Sequence, residues 1–382
     1  MNAADSFSAD YRQARDKFCA AAAQCAGVVD RLSHPERGPD GGELSTDLAW
    51  FGPRNAERVI VTISATHGVE GFAGSGAQVD WLARGEASRL PQGVAALLIH
   101  AINPYGFAWL RRVTEDNVDL NRNWIDFAAP RPDNAGYAEL SDAICPAEWT
   151  EASLGASASV LRAYAARAGL AGLQRAISGG QYRYPAGLFY GGAAPSWSRR
   201  TQSAIFAGYL GGAAQVAVLD YHTGLGPRGY GERIVTQPPG TPAYARAASW
   251  YGAALTCPLD GTSTSAPIVG DGLGAAPALL PEAAVTGIAL EFGTKPLEEM
   301  LLALRADAWL HAHGDPQSPS GRAIKAQVRA AFYSDADDWK GMVAGQALLA
   351  CRQAIAGLHR SDAAEAPART VSVPGGVRPI HG

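Results

Sequence analysis

The amino-acid sequence predicts an α/β protein, a single domain with a central, mostly parallel twisted sheet flanked by helices on both faces. Four short aliphatic and β-branched runs, of the kind that form buried strands, alternate with longer segments in which Leu and Ala recur at helical spacing. Such alternation is typical of sheets covered on both sides. With 382 residues, 47% of them hydrophobic, the chain can bury a large core.

The predicted elements follow one another along the chain. Residues 11–26 are rich in Ala and predict a helix, and the Pro- and Gly-containing segment through residue 42 predicts a loop. Residues 57–66 predict a strand that ends in a tight turn at His67 and Gly68, after which 70–84 predicts a helix. Further strands are predicted at 95–102, 215–221 and 285–292, and further helices at 135–173, 296–313 and 339–357.

Domain boundaries follow from the loss of this periodicity. We expect one domain over residues 1–360. Residues 361–382 are Ala, Pro, Gly and Arg without a repeat, which predicts a flexible C-terminal tail.

Charge and cysteine usage argue against several classes of protein. The chain carries 32 Lys and Arg against 36 Asp and Glu, with no basic run, so we expect no nucleic-acid partner. No window reaches the length of an apolar membrane span and the N-terminus lacks a secretory signal, so we expect no membrane partner and a cytoplasmic location. Five widely spaced cysteines without a Cys-x-x-Cys pair predict reduced thiols.

Polar residues of interest stand where predicted strands end. His67, His222 and Glu291 occupy such positions, and the carboxyl ends of parallel strands meet at one edge of a sheet. We therefore expect these side chains to converge. His67 and Glu70 lie three residues apart, and two histidines with one carboxylate are a common ligand set for hydrolytic zinc. Alone, a His-x-x-Glu spacing is a weak signal, because chance supplies it in a chain of this composition.

Four motifs in one order make the signal specific. Their order and residue types resemble those of the zinc carboxypeptidase superfamily. The Gly-rich, aromatic segment 179–198 resembles a bacterial branch of that superfamily described only as a domain of unknown function. The motifs are His67-Gly68-Val69-Glu70, Asp119-Leu120-Asn121-Arg122-Asn123-Trp124, Asp220-Tyr221-His222-Thr223-Gly224 and Leu290-Glu291-Phe292-Gly293-Thr294.

The resemblance implies roles for the metal and the proton transfers. It makes His67, Glu70 and His222 the ligands of one zinc ion per chain and Glu291 the general base and later acid. Asp119 would accept the free N–H of His67, which orients the ring and raises its basicity.

The resemblance also implies a substrate site. Asn121 and Arg122 would hold a substrate carboxylate, in agreement with the bidentate fork of an arginine. An arginine upstream would stabilise the oxyanion; the spacing, which is similar to that of the aspartoacylase and succinylglutamate desuccinylase branch, favours Arg112 over Arg111. Because residues 269–290 lack the lid tyrosine of the digestive enzymes, Tyr230 is the candidate to replace it.

The function predicted from these residues is zinc-dependent hydrolysis of an amide or peptide bond next to a free carboxylate, with a small peptide or an N-acyl amino acid as substrate. An N-acyl amino acid deacylase is the alternative enzyme, and an inactive binding module that retains the fold is the alternative outside catalysis. A Ser-His-Asp hydrolase using Ser64 or Ser75 is disfavoured, since no Gly-x-Ser-x-Gly elbow occurs.

Overall fold

The computed structural model describes residues 2–365. Within that part of the chain, eight strands form one sheet in the order β1-β2-β4-β3-β5-β8-β6-β7. The strands are β1 (Val28–Arg37), β2 (Glu43–Phe51), β3 (Arg58–Ile63), β4 (Val94–His100), β5 (Gln215–Arg228), β6 (Gly231–Ile234), β7 (Leu255–Thr256) and β8 (Ala284–Gly293). The helices are α1 (Tyr11–Gln24), α2 (Gly71–Ala83), α3 (Pro104–Ala108), α4 (Ala135–Ile144), α5 (Glu151–Ser178), α6 (Trp197–Leu210), α7 (Pro242–Tyr251), α8 (Gly272–Leu279), α9 (Leu297–His313), α10 (Pro319–Phe332) and α11 (Asp337–Glu365).

The four strands predicted from the sequence form the centre of the sheet. β4, β3, β5 and β8 are parallel neighbours in that order. Antiparallel pairing occurs outside them, where β1 pairs with β2, β2 with β4, and β6 with β8. The predicted mixed, mostly parallel α/β sheet is therefore confirmed.

Two hydrophobic cores cover the two faces of the sheet. Successive side chains of a strand point to opposite faces, and in β3 Ile60 lies in one core while Val59 and Val61 lie in the other. Helices α1, α2 and α11 supply the first core, for example with Phe72, and helices α6 and α8 supply the second, for example with Phe206. Helices thus flank both faces, as predicted.

Three predicted elements have different boundaries. The loop predicted through residue 42 is wrong, because Val28–Arg37 forms the edge strand β1. His34 is the one buried residue of β1, so the strand lacks the run of buried apolar residues that marks a central strand. Because β1 lies at the edge of the sheet, it also tolerates Pro35. The helix predicted over 135–173 is two helices, α4 and α5. β5 continues seven residues beyond Tyr221, so that His222 lies within the strand.

The C-terminal helix α11 ends at Glu365. Residues 366–382 of the predicted tail lie outside the described residues, and the tail stays a prediction. Among the helices of residues 2–365, none combines the length and the apolar character required to traverse a bilayer. All five cysteines carry free thiols.

Candidate metal centre and active site

The turn that carries His67 is shaped by close backbone packing. Two residues before it, Ala65 adopts a left-handed conformation with φ 61°, which non-glycine residues rarely adopt. The next residue must be Gly68, because a Cβ there would stand 2.0 Å from the carbonyl carbon of Gly106. The His-Gly sequence therefore reflects a contact between this turn and helix α3.

The same turn is fastened to the loop that carries the two arginines. The N–H of Gly68 donates to the carbonyl oxygen of Arg112 at 3.1 Å, and the N–H of Val69 donates to that of Arg111 at 2.8 Å. The position of Glu70 at the end of this turn is thus tied to the backbone of residues 111 and 112.

Three buried ligand side chains meet just beyond the carboxyl end of β3, beside the part of β5 that continues past it. Nδ1 of His67 lies 3.1 Å from Nδ1 of His222. The carboxylate oxygens of Glu70 lie 3.0 Å from Nδ1 of His67 and 2.9 Å from Nδ1 of His222. Ligands of a tetrahedral zinc ion, at about 2.0–2.1 Å from the metal, stand roughly 3.3 Å apart. This residue set therefore fits a metal ion, and it was the one such group of His, Cys, Asp or Glu found among the described residues.

The Nε2 atom of each histidine, on the side of the ring away from the cluster, contacts an aspartate carboxylate. Nε2 of His67 lies 3.3 Å from Oδ1 of Asp119, and Nε2 of His222 lies 3.0 Å from Oδ2 of Asp220. In each ring one nitrogen, Nε2, contacts a carboxylate, and the other, Nδ1, is free to bind a metal ion. This arrangement is usual for metal-bound histidines. Asp220 was missed by the sequence reasoning. The available signal was its place two residues before His222, on the same face of the strand.

The electrostatics of the cluster depend on these contacts. Burial raises the pKa of Glu70, but the charge of His67 and hydrogen bonds from both histidines outweigh it, so the pKa of Glu70 lies well below its usual value. Burial lowers the pKa of His222, and the charge and hydrogen bond of Asp220 reverse that effect, so the pKa lies well above its usual value. Both shifts favour the charged forms, an ionised Glu70 and a protonated His222.

Arg112 borders the ligand cluster and the cavity above it. Its Nε donates to Oδ2 of Asp119 at 3.0 Å and its Nη1 to Oε1 of Glu70 at 3.2 Å. Burial raises the pKa of Asp119, but the charges of Arg112 and Arg122 hold that pKa well below its usual value. One carboxylate therefore contacts both a predicted metal ligand and the predicted oxyanion arginine.

Glu291 lies on β8 beside the ligand that β5 contributes. His222 and Glu291 are directly paired in the parallel register of β5 and β8. Oε1 of Glu291 accepts a hydrogen bond from the N–H of Leu225 at 2.9 Å. Burial, and then the charge of Glu70, raise the pKa of Glu291 to about 7. A carboxyl group with this pKa can both accept and donate a proton near neutral pH.

Asn121 and Arg122 also lie beside the carboxylate of Asp119. Oδ1 of Asn121 accepts from the N–H of Gly272, and Nη1 of Arg122 donates to the carbonyl of Asn121 at 2.9 Å. The Nη2 atom of Arg122 is bonded to the carbonyl of Ser178. Nε of Arg122 is buried without a hydrogen-bond partner among the described residues. A buried donor of this kind favours an anionic ligand.

A cavity of about 590 Å³ joins these groups. His67, His222, Glu291, Arg112, Asn121 and Arg122 all line it. The convergence expected from the strand ends is therefore present in the fold.

Two predicted substrate residues do not reach the cavity. Nε of Arg111 is buried against Oδ2 of Asp307 at 3.0 Å, and its Nη2 donates to Asn117. Tyr230 lies in the turn between β5 and β6 with 46% of its surface exposed, and it is not among the residues that line the cavity. Of the two arginines left open by the sequence, Arg112 alone lines the cavity.

The Gly-rich segment 179–198 holds the Asp119–Trp124 motif in place. The carbonyl of Tyr190 accepts from the N–H of Asp119 at 2.8 Å, and the hydroxyl of Tyr182 donates to the carbonyl of Arg122 at 2.6 Å. Phe189 lies under the guanidinium groups of both Arg112 and Arg122, 5.4 and 5.6 Å from its ring centroid. The segment therefore both supports the site and forms part of the cavity wall.

Neither Ser64 nor Ser75, the serines of the alternative Ser-His-Asp hydrolase, lines the cavity. Ser75 does contact a histidine, with 2.9 Å between its Oγ and Nε2 of His100. Both residues are buried, neither lines the cavity, and Nδ1 of His100 has no hydrogen-bond partner in the described part of the chain. Ser64 accepts from the backbone N–H of Ala101.

The fold and the site define a class: an α/β protein with a central mixed sheet and a buried cluster of two histidines and one carboxylate suited to a metal ion. The chain belongs to the family described as "Protein of unknown function (DUF2817)", whose model matches residues 7–346. A comparison with curated proteins found no match.

Solved structures similar to this chain include carboxypeptidases. Carboxypeptidase A from Helicoverpa armigera is 11% identical, covering 94% of this chain and 74% of that one with a TM-score of 0.46. A metallo-carboxypeptidase from Burkholderia cenocepacia is 12% identical, covering 90% and 68% with a TM-score of 0.43. Murein-tripeptide amidase from Escherichia coli O157 is 14% identical, covering 79% and 91% with a TM-score of 0.34.

Proposed function

We propose that this protein is a zinc-dependent hydrolase that cleaves an amide or peptide bond next to a free carboxylate. The observation that carries the proposal is one cavity lined by His67, His222, Glu291, Arg112 and Arg122. The Nδ1 atoms of the two histidines lie about 3 Å from each other and from the buried carboxylate of Glu70, and the pKa of Glu291 is raised to about 7. The residues that would hold the zinc ion are His67, Glu70 and His222. Zinc bound there would lower the pKa of a water molecule and polarise the scissile carbonyl.

The proton transfers belong to Glu291. Its carboxylate accepts the proton of the attacking water and delivers it to the nitrogen of the leaving amine. A pKa of about 7 places the group between these two states. The N–H of Leu225 keeps one oxygen in position, which leaves the other for the proton.

Two arginines divide the negative charges of the substrate. Arg112 lines the cavity beside Glu70, where it is placed to stabilise an oxyanion on the reacting carbonyl. Arg122 and Asn121 are placed to bind the substrate carboxylate, with the unpartnered Nε of Arg122 as one donor. A substrate with a carboxylate near the cleaved bond satisfies both.

A metal-dependence experiment tests this function. Protein saturated with zinc and then dialysed should retain close to one zinc ion per chain, and should hydrolyse members of a panel of dipeptides and N-acyl amino acids. Removal of the metal by a chelator should abolish hydrolysis, and added zinc should restore it. His222→Ala should lose the metal, whereas His313→Ala, at an exposed position of α9, should keep it. Zinc-replete protein without bound metal would exclude the proposal.

A further inference from the structure

Two helix faces give the cavity long apolar walls. Leu297, Met300, Leu301 and Leu304 of α9 line it at the i, i+3, i+4, i+7 spacing of a single helix face. Leu170, Leu173 and Ile177 line it at i, i+3 and i+7 on the end of α5, after its helical geometry is broken at Gly169, and Gln174 occupies the i+4 position. The walls are therefore two extended hydrophobic surfaces rather than isolated apolar side chains.

Both walls reach solvent at one end. Leu170 has 80% of its surface exposed and Leu297 has 53%, whereas Met300 and Leu304 are buried. An exposed apolar residue at the end of each wall is costly in water, and contiguous apolar surface of this kind is characteristic of a ligand-binding groove. The apolar surface thus continues from the mouth of the cavity toward its base.

At their buried end, the walls lie close to Arg112 and Glu291. Phe189, Leu304 and Arg112 line a second, small cavity together, which places the floor of the groove beside the oxyanion arginine. A Cβ added to Gly224 would stand 3.1 Å from Sδ of Met300 and 3.4 Å from both Oε1 of Glu291 and the ring of Phe332. Met300 and Phe332 therefore lie close to the carboxylate of Glu291.

Polar groups gather instead around the carboxylate clamp. Thr236, Ser265 and Asp271 line the cavity. Asp271 caps the N-terminus of helix α8, whose first N–H donates to Oδ1 of Asn121. Burial raises the pKa of Asp271. Polar groups are thus available around the clamp for the amino acid half of a substrate. Phe189, Leu304 and Met300 are available near Arg112 and Glu291 for an apolar half attached to the reacting carbonyl.

From these walls we infer that the substrate is an N-acyl amino acid with a long aliphatic acyl chain, an inference that rests on the proposed function. The amino acid carboxylate lies at Arg122, the acyl carbonyl at Arg112, and the chain between α5 and α9. Water adds across the amide: its oxygen forms a bond to the acyl carbon, the carbon–nitrogen bond breaks, and the nitrogen gains a proton. The products are a fatty acid and a free amino acid.

The test compares acyl chain lengths in binding and in turnover. N-acetyl-, N-hexanoyl- and N-dodecanoylglycine are titrated calorimetrically into zinc-loaded Glu291→Gln protein, and kcat/KM is measured for the same compounds with wild type. Each buried methylene is worth up to about 4-fold in affinity, so the dodecanoyl compound should bind at least about 100-fold more tightly than the acetyl compound. Its kcat/KM should rise in parallel.

Wall variants with matched controls locate the effect. Leu173→Gln and Leu301→Gln should each weaken binding of the dodecanoyl compound by about 10-fold and leave the acetyl compound unchanged. The controls are Val160→Gln on α5 and Leu302→Gln on α9, exposed residues that are not among those lining the cavity. They should change neither.

The remaining outcomes separate the two proposals. Turnover of acyl amino acids with no dependence on chain length would overturn the inference and leave the proposed function intact. Chain-length-dependent binding at the walls without hydrolysis of any compound would show that the walls bind aliphatic chains, but it would overturn the proposed function and with it the assignment of these compounds as substrates. Cleavage of the tripeptide Leu-Leu-Gly at least about 10-fold faster than N-dodecanoylglycine would assign the walls to peptide side chains and overturn the inference.

Discussion

Asp220 holds His222 from within a single strand: its Oδ2 lies 3.0 Å from Nε2 of the histidine two residues further along β5. Its second oxygen accepts a hydrogen bond from the hydroxyl of Thr66 at 2.7 Å. The carboxylate is thus fixed by the neighbouring chain segment, and it contacts the ring of His222 in the way that Asp119 contacts the ring of His67.

Removing this carboxylate should weaken the metal site. We expect Asp220→Ala, like Asp119→Ala, to lower zinc affinity by about 10- to 100-fold, because the ring loses the partner that sets its orientation and basicity. Competition with a chromophoric chelator measures the affinity. Asp133→Ala, at an exposed aspartate, is the control. Wild-type affinity in Asp220→Ala would show that the contact does not support metal binding.

Glu291→Gln should separate metal binding from chemistry. The amide keeps the size of the side chain and its hydrogen bond from Leu225, but it cannot carry the proton, so kcat should fall by about 10²- to 10⁴-fold. Zinc content, measured by elemental analysis, should stay near one per chain. Loss of the metal in this variant would make Glu291 a ligand instead of the base.

Arg122 should decide the preference for an anionic substrate. Wild type should cleave an acid substrate with a higher kcat/KM than its neutral amide, by roughly 2–5 kcal/mol in transition-state free energy, because a buried guanidinium without its anion is unfavourable. In Arg122→Ala the rate on the acid should fall toward that on the amide. Arg131→Ala, an exposed arginine, should keep the preference. Equal rates on acid and amide in wild type would assign Arg122 a structural role.

His100 should make the fold sensitive to acid. Burial lowers the pKa of this histidine from 6.5 to about 4. Between these values the unfolded chain binds a proton that the folded protein does not, so this contribution to stability is complete above pH 6.5 and is lost as the pH falls toward 4. The loss amounts to at most about 3 kcal/mol.

Urea unfolding at pH 7 and pH 4.5 measures this effect. His100→Gln should lose less of its free energy of unfolding between the two pH values than wild type does, even if the variant is less stable at pH 7. His313→Gln, at an exposed position, should show the wild-type difference. An unchanged pH dependence in His100→Gln would mean that the histidine titrates similarly in both states.

The sequence by itself determined the central sheet and several of the polar side chains that meet in the cavity. Runs such as 215–221 and 285–292 are apolar on both faces, because strands in the centre of a parallel sheet are buried on both sides, and such runs stand out without any knowledge of their partners. The convergence of His67, His222 and Glu291 follows from their positions at the ends of the predicted strands. The exposed edge strand β1 has no such signal, which is why it was predicted as a loop.

The tertiary structure alone decided how residues distant in the chain share their contacts. Arg111 and Arg112 are equivalent in type and adjacent in sequence, yet Asp307, on a helix 196 residues away, binds the first and leaves the second at the cavity. The two apolar walls show the same limit, since Leu and Ile at helical spacing indicate a buried face whether a protein core or a ligand covers it. Periodicity records which face of a helix is apolar, and only the packing of α5 and α9 around the cavity shows that parts of these faces line it.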